Sequence, residues 1–178
     1  MEADGYITKT SEPTEWVSSM VVSVRVDKIR ICIDPKDLDK AIKREHHPMR
    51  KIDDVIPNIP GSTVFSVLDA KSGFLQIKLD DASSNISTFN TQIGRYMWLR
   101  HPSVGIKSAP EIYQKIMDET LEGIDNAYVI FFDILIAERD IAHHNQILKQ
   151  VVELATCYNL KLNKSIESDN RRIRTWVM

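Results

Sequence analysis

V-F-S-V-L-D-A-K-S-G-F-L-Q-I-K-L-D, residues 64–80, is the stretch on which the fold class turns. Of its first six residues four are apolar, Val64, Phe65, Val67 and Leu68, and the sixth is a carboxylate, which predicts a buried strand over 64–69 closing at Asp69. Ala70-Lys71-Ser72-Gly73 reads as a turn, and residues 74–79 alternate well enough to predict a half-buried strand. The nearest match in character lies downstream at Y-V-I-F-F-D-I-L-I, residues 128–136, where Asp133 is the one charge in an apolar run. That run predicts either one fully buried strand or a tight hairpin with Asp133 near its bend.

The segments around these two carry other periods. Ser108-Ala109-Pro110-Glu111 has the form of a capping box: serine at the N-cap, proline in the first turn, glutamate three residues on. With apolar residues returning every three or four positions, it predicts a helix over about 109–121. A second helix is expected over 141–158 and a short extended piece at 160–162. Upstream, 17–24 and 28–33 are strand-like around a turn at Val26-Asp27, and Asp34-Pro35 stops the second. Pro48, Pro57 and Pro60 punctuate a connector with a short helix near 52–56, and a strand pair is expected at 87–90 and 95–99, turning at Gly94. The whole reads as an α+β layer, with helices on one face of an antiparallel sheet.

Composition narrows the class. The 178 residues suffice for one ordinary domain or two small ones sharing a core, and 43% apolar with 27% charged is a globular balance that excludes a disordered or fibrous chain. No apolar run reaches the length of a membrane span, and the opening M-E-A-D-G-Y carries no secretory h-region. Cys32 and Cys157 cannot make a disulfide framework and suit a reducing compartment, so cytoplasm or nucleus is expected and no membrane. The net charge of −2 is unevenly spread: residues 24–51 carry nine basic groups against five acidic, and residues 161–174 five against two. Basic flanks around an acidic centre suit a protein that grips phosphate outside and holds cations inside, although solvated faces would give the same count.

Asp69 and Asp133 are the residues that could carry chemistry. A carboxylate in an apolar strand is costly unless paired, hydrogen-bonded or bound to metal. On neighbouring strands the two would converge on one point, a donor set suited to Mg²⁺ and to nucleotidyl transfer. Spacing alone equally allows Asp69 to cap the following turn and Asp133 to end a strand. The histidine pairs His46-His47 and His143-His144 have no zinc-ligand spacing with the two cysteines, Asp53-Asp54 and Asp80-Asp81 read as solvated turn charges, and neither a phosphate loop nor a nucleophile elbow occurs.

Six segments in order resemble the reverse transcriptase of gypsy-type LTR retrotransposons: E-P-T-E-W-V-S-S-M-V-V (12–22), R-I-C-I-D-P-K-D-L-D-K-A-I-K-R-E-H (30–46), 64–80 as quoted, T-F-N-T-Q-I-G-R-Y-M-W-L-R (88–100), S-A-P-E-I-Y-Q (108–114) and L-K-L-N-K (160–164). The resemblance implies the fingers and palm of a right-hand polymerase, without a thumb: a fingers-like segment over 1–60, a palm-like core with some fingers strands over 61–164, and a degenerate tail over 165–178. It implies a primer-template of RNA or DNA, dNTPs and Mg²⁺, and a larger polyprotein whose RNase H and integrase regions are missing here.

By the same resemblance Asp69 is the first catalytic aspartate, binding metal together with the backbone carbonyl of Ala70. Phe74 is the aromatic residue beneath the incoming sugar, Arg30 the fingers arginine that contacts the triphosphate, and Lys161 part of a late palm motif. Lys36, Lys40, Lys43 and Arg44 form the basic cluster expected to meet nucleic acid.

The chain departs from that family most sharply at Ile130-Phe131-Phe132-Asp133, where the family carries two adjacent aspartates. Asp133 remains as the second, and Phe132 replaces the first, a direct metal ligand. Loss of about 4–6 kcal/mol of transition-state stabilisation through that ligand would slow the reaction about 10³- to 10⁴-fold. Pro102-Ser103-Val104-Gly105 is one residue longer than the family's loop, and the hairpin turn after Arg25 is one shorter. The expectation is a polymerase domain that is inactive; a binding remnant without catalysis and a functionless fragment are the alternatives.

Overall fold

The computed structural model describes residues 1–25, 28–102, 106–163 and 167–169. Strands β1 (Ile7–Lys9), β2 (Ser18–Arg25) and β3 (Lys28–Asp34) come first, then the short helices α1 (Leu38–Ala41) and α2 (Ile52–Val55). Strand β4 (Val64–Asp69), helix α3 (Asp81–Ile86) and the strands β5 (Phe89–Thr91) and β6 (Gly94–Trp98) follow. Helix α4 (Ala109–Thr120), strands β7 (Ala127–Ile130) and β8 (Asp133–Glu138), helix α5 (Ile141–Cys157) and β9 (Glu167–Asp169) complete the order. The chain divides into two compact units, residues 1–45 with 72–109, and residues 46–71 with 110–178.

The first unit is built on a five-stranded sheet of order β1-β6-β5-β2-β3. Strands β2 and β3 pair antiparallel from Ser19↔Asp34 to Arg25↔Lys28; the turn expected at Val26-Asp27 lies outside the described residues. β2 meets β5 in parallel through Ser18↔Phe89, and β5 and β6 form a hairpin closing at Thr91↔Gly94. Burying aromatic surface is what holds this unit: Phe89 and Trp98 are each 1% exposed, their rings 5.9 Å apart, and Ile33, Leu38 and Tyr96 pack with them.

Two sequence expectations fail in this unit. Residues 74–79 are not a strand. Ser72 enters the left-handed region at φ 51°, and residues Gly73–Gln76 coil into a 3-10 turn with Leu75 N–H donating to Ser72 O at 2.9 Å. The period-2 pattern there is satisfied by a turn lying over the core, with Leu75 and Leu79 packed against the aromatic cluster. The solvated turn charges expected at Asp80-Asp81 are exposed, but they begin a helix in place of a turn. Asp80 is the N-cap of α3, accepting from Ser83 N–H at 2.6 Å, and that bond holds its carboxyl below the usual carboxylate range.

The second unit is a four-stranded sheet of order β7-β8-β4-β9, antiparallel throughout. The run 128–136 resolves as a hairpin, β7 and β8 joined by Phe131-Phe132. β8 is buried on both faces. Leu135 and Ala137 pack with Val55 and Ile59 of the proline-rich connector, while the alternate residues Ile134 and Ile136, 1% and 0% exposed, point to the opposite face. Helix α5 packs on β8 and β4, burying Ile147, Val151 and Ala155.

Helix α4 begins where the sequence predicts, but without the capping box. The Ser108 hydroxyl is buried with no partner, and the Glu111 carboxylate accepts instead from His46 N–H at 3.1 Å. Among the described residues no helix is long and apolar enough to cross a membrane.

Candidate functional site

Asp69 ends β4 and Asp133 begins β8, and the register sets them directly opposite each other. In a two-residue hairpin the flanking pair exchanges hydrogen bonds, so Asp133 turns its backbone toward Ile130 on β7. Asp69 and Asp133 are therefore a non-hydrogen-bonded pair, the arrangement that brings facing side chains closest, with Cβ atoms about 4.5–5.5 Å apart. Two carboxylates this close repel, and the arrangement is stable only where a cation, a proton or hydrogen-bond donors offset the charge.

Donors for Asp69 come from residues 161–163, which zip against residues 69–71. Asn163 N–H donates to Asp69 O at 2.8 Å, Lys71 N–H donates to Lys161 O at 2.9 Å, and Ala70 faces Leu162 between them. The Asn163 side chain adds a third bond, its Nδ2 donating to Asp69 Oδ2 at 2.6 Å. The ladder's alternation points the Ala70 carbonyl away from Leu162, toward the β8 side.

Phe131 and Phe132 form the hairpin's turn. Phe131 holds φ 57°, a region disfavoured for a bulky side chain, and is 57% exposed. Phe132 is half-exposed, its ring edge-on to Tyr113 of α4 at 5.6 Å, and the Tyr113 hydroxyl donates to Phe132 O at 3.5 Å. Tyr113 is itself 2% exposed. Burial, and then the nearby charges of Asp69 and Asp133, push its ionisation well above the ordinary phenol range. A neutral hydroxyl thus sits beside the acid pair.

The donor set fits one divalent ion: a carboxylate oxygen from each of Asp69 and Asp133, with the Ala70 carbonyl. It does not fit two. Phe132 contributes no side-chain oxygen, and among the described residues no cluster of three histidine, cysteine or acidic side chains occurs.

The other sequence-predicted residues lie in the first unit, apart from Ala70 and Lys161. Arg30 sits on β3 opposite Ser23, its side chain outside the description. Phe74 lies in the 3-10 turn, its ring centroid 6.0 Å from that of His101. Lys36, Lys40, Lys43 and Arg44 are all exposed, and Lys40 pairs with Asp37 at 2.8 Å. A cleft of about 1020 Å³ in the second unit borders Arg50, Asp54, Leu121 and Tyr128, and neither Asp69 nor Asp133 lines it. Beside it, Asp118 of α4 ties down the connector, 2.8 Å from His47 and 3.2 Å from Arg50.

Sequence reasoning missed two residues at this site. Tyr113 lay within S-A-P-E-I-Y-Q and Asn163 within L-K-L-N-K, but only as parts of a helix face and a late motif. Nothing local marks either as a neighbour of Asp69.

The family model for reverse transcriptase (RNA-dependent DNA polymerase) matches residues 9–165. An uncharacterized Caenorhabditis elegans protein, K02A2.6, is 33% identical over 153 residues, covering 84% of this chain and 12% of that protein. The retrovirus-related Pol polyprotein from the Drosophila melanogaster transposon 412 is 33% identical over 138 residues, 76% of this chain and 11% of the polyprotein. The chain therefore spans about a tenth of the length of these relatives. Among solved structures, the prototype foamy virus protease-reverse transcriptase superposes with a TM-score of 0.79 at 20% identity, over 92% of this chain and 22% of that one. A foamy viral protease-reverse transcriptase in complex with double-stranded DNA gives 0.81 at 18% identity, over 96% of this chain and 30% of the other. The shared fold is α+β, with fingers-like and palm-like sheets.

Proposed function

The chain belongs to the reverse transcriptase (RNA-dependent DNA polymerase) family, and from that premise we propose that it is the fingers and palm of a gypsy-type retrotransposon polymerase that holds nucleic acid but does not extend it. On this reading the second unit is the palm and the first unit the fingers. The observation that carries it is Phe132. In the hairpin that sets Asp133 opposite Asp69, a phenyl ring stands where the resemblance puts the first of two adjacent aspartates.

Divalent metal ions in a two-metal site activate the attacking hydroxyl and stabilise the leaving phosphate. Here Asp69 and Asp133, with the carbonyl of Ala70, would hold one Mg²⁺, and no side-chain oxygen at position 132 completes a second site. Asp133 faces Asp69 across the ladder as a like charge, which a bound cation would offset, and the neutral Tyr113 hydroxyl adds no charge to the pair. Arg30 and Phe74 take the roles of triphosphate contact and sugar platform for a dNTP, and Lys161 belongs to the late palm motif, on the segment that pairs with residues 69–71. The exposed Lys36, Lys40, Lys43 and Arg44 supply a salt-sensitive, sequence-independent grip on the phosphates of an RNA or DNA primer-template.

Primer extension in Mg²⁺ tests the reading on three proteins: the chain as it stands, Phe132→Asp and Asp69→Ala. No templated incorporation above background is expected from the first or the third. Extension by the unaltered chain that Asp69→Ala abolishes would overturn the inactive reading. Binding of a primer-template that is flat with salt, or unchanged when Lys36, Lys40, Lys43 and Arg44 are neutralised together, would remove the proposed grip.

A further inference from the structure

We infer that Asn163 is a positioning residue for the metal-binding carboxylate, a brace that fixes which oxygen Asp69 presents. The inference rests on the one-metal part of the reading above. Asp69 is the last residue of β4, where a strand end would ordinarily leave its side chain free to rotate. Three hydrogen bonds tie this end to residues 161–163, and two involve Asn163: its N–H to Asp69 O at 2.8 Å and its Nδ2 to Asp69 Oδ2 at 2.6 Å. The backbone bond sets the position of the strand end, and the side-chain bond sets the rotation of the carboxylate. With Oδ2 engaged by the amide, Oδ1 is the oxygen left to face a cation.

The register gives the brace its direction. Asp69 is held from the β9 side by residues 161–163 and faces Asp133 on the other side. The Ala70 carbonyl points toward that same β8 side by the ladder's alternation. A carboxylate free to rotate would spend part of its time with both oxygens away from this point. One held by an amide donor keeps a single oxygen there, as groups behind a metal ligand do when they orient it. The donor is neutral, so it orients Asp69 without adding a positive charge that would compete with the cation. A lysine at position 163 would make the same hydrogen bond and defeat its purpose.

Mn²⁺ binding followed by electron paramagnetic resonance, with a thermal melt on each protein, separates the brace from a merely structural contact. The proteins are the unaltered chain, Asp69→Ala, Asn163→Ala, Asn163→Leu and the double variant Asp69→Ala/Asn163→Ala. Both Asn163 variants keep the backbone bond, and the leucine keeps most of the volume. Asn163→Ala and Asn163→Leu should each weaken Mn²⁺ binding about 10-fold in the unaltered background. The alanine should change nothing further once Asp69 is gone. A folded Asn163 variant that binds Mn²⁺ as tightly as the unaltered chain overturns the brace and leaves the one-metal reading standing. So does a loss of equal size in the presence and absence of Asp69. An unaltered chain that binds Mn²⁺ no better than Asp69→Ala overturns the one-metal reading itself, and the brace with it.

Discussion

Two hairpins in this chain solve the same geometric problem by opposite means. β5 and β6 turn through Gln92-Ile93 between Thr91 and Gly94, and β7 and β8 through Phe131-Phe132 between Ile130 and Asp133. The first carries its own turn chemistry. Gly94 takes φ 130°, where only glycine sits comfortably, and the Thr91 hydroxyl donates to Gly94 O at 2.7 Å and accepts from Ile93 N–H at 3.2 Å. The second has no glycine, asparagine or aspartate in the turn, and Phe131 is held in the left-handed region. Its restraint comes from outside, from Tyr113 beneath Phe132 and from β4 beside β8. A turn that its own residues would not choose persists where the surrounding fold determines it, and such turns concentrate at functional sites. The difference marks the β7–β8 tip as the place where the fold spends stability.

Removing the outside support should produce the largest effect. Tyr113→Ala deletes a side chain that is 2% exposed and leaves a cavity under the turn, so a loss of about 3–5 kcal/mol is expected in denaturant melts. If the comparison is right, the loss should be accompanied by faster amide exchange at Phe132 and Asp133. A loss under about 1 kcal/mol would mean that the tip stands without Tyr113.

The β5–β6 turn should break from within. Gly94→Ala asks a residue with a side chain to hold φ 130° and places a Cβ 2.9 Å from Lys9 Cε. The lysine end can swing aside, so the backbone term dominates and about 1–3 kcal/mol should be lost. A melt unchanged by this substitution would mean that the turn relaxes to another type, and the contrast between the hairpins would weaken.

Phe131→Gly tests the opposite sign. Relief of the left-handed conformation is worth about 1–2 kcal/mol, and the extra freedom of glycine in the unfolded chain takes back about 0.5–1. The expected result is a gain of about 0.5–1 kcal/mol and a rise in melting temperature of a few degrees. A destabilised variant would show that the exposed Phe131 ring makes contacts that outweigh its backbone strain.

What the sequence disclosed follows the same division. β4, the β7–β8 hairpin and α5 were legible because unbroken apolar periods dictate burial whatever else surrounds them. Asp69 and Asp133 stood out because each interrupts or ends such a run. Residues 74–79 misled because period-2 alternation can be met by a 3-10 turn once Ser72 goes left-handed, and no local rule announces a serine at φ 51°. Helix α3, D-A-S-S-N-I, has weak helix formers at Asp81, Ser83, Ser84 and Asn85 and is started by its Asp80 cap. The Ser108–Glu111 box failed because Glu111 found a better donor 65 positions away, at His46. Asn163 meets Asp69 across 94 positions. Contacts of that kind belong to the fold and not to any window of sequence.

The smallest expected effect concerns the Tyr113 hydroxyl alone. Its bond to Phe132 O is long, 3.5 Å, so Tyr113→Phe should cost no more than about 0.5–1 kcal/mol near neutral pH. The pH dependence is more telling. Burial and then the charges of Asp69 and Asp133 raise the folded-state pKa of this phenol above its ordinary 10.0. The folded chain therefore keeps the proton where the unfolded chain releases it, and stability tied to this group is fully present below the unfolded pKa. It is lost as pH rises beyond about 10, where the unfolded state gains by ionising. The stability difference between the unaltered chain and Tyr113→Phe should stay constant from pH 6 to about 9, then shrink and reverse in favour of phenylalanine. Replacing Asp133 with asparagine, which removes one of the two charges, brings the folded-state value closer to the unfolded one, so it should shrink the loss above pH 10 and move that reversal to higher pH. A difference that stays flat through pH 11 would mean that the hydroxyl is not held buried beside the carboxylates, and the tip would lose that anchor.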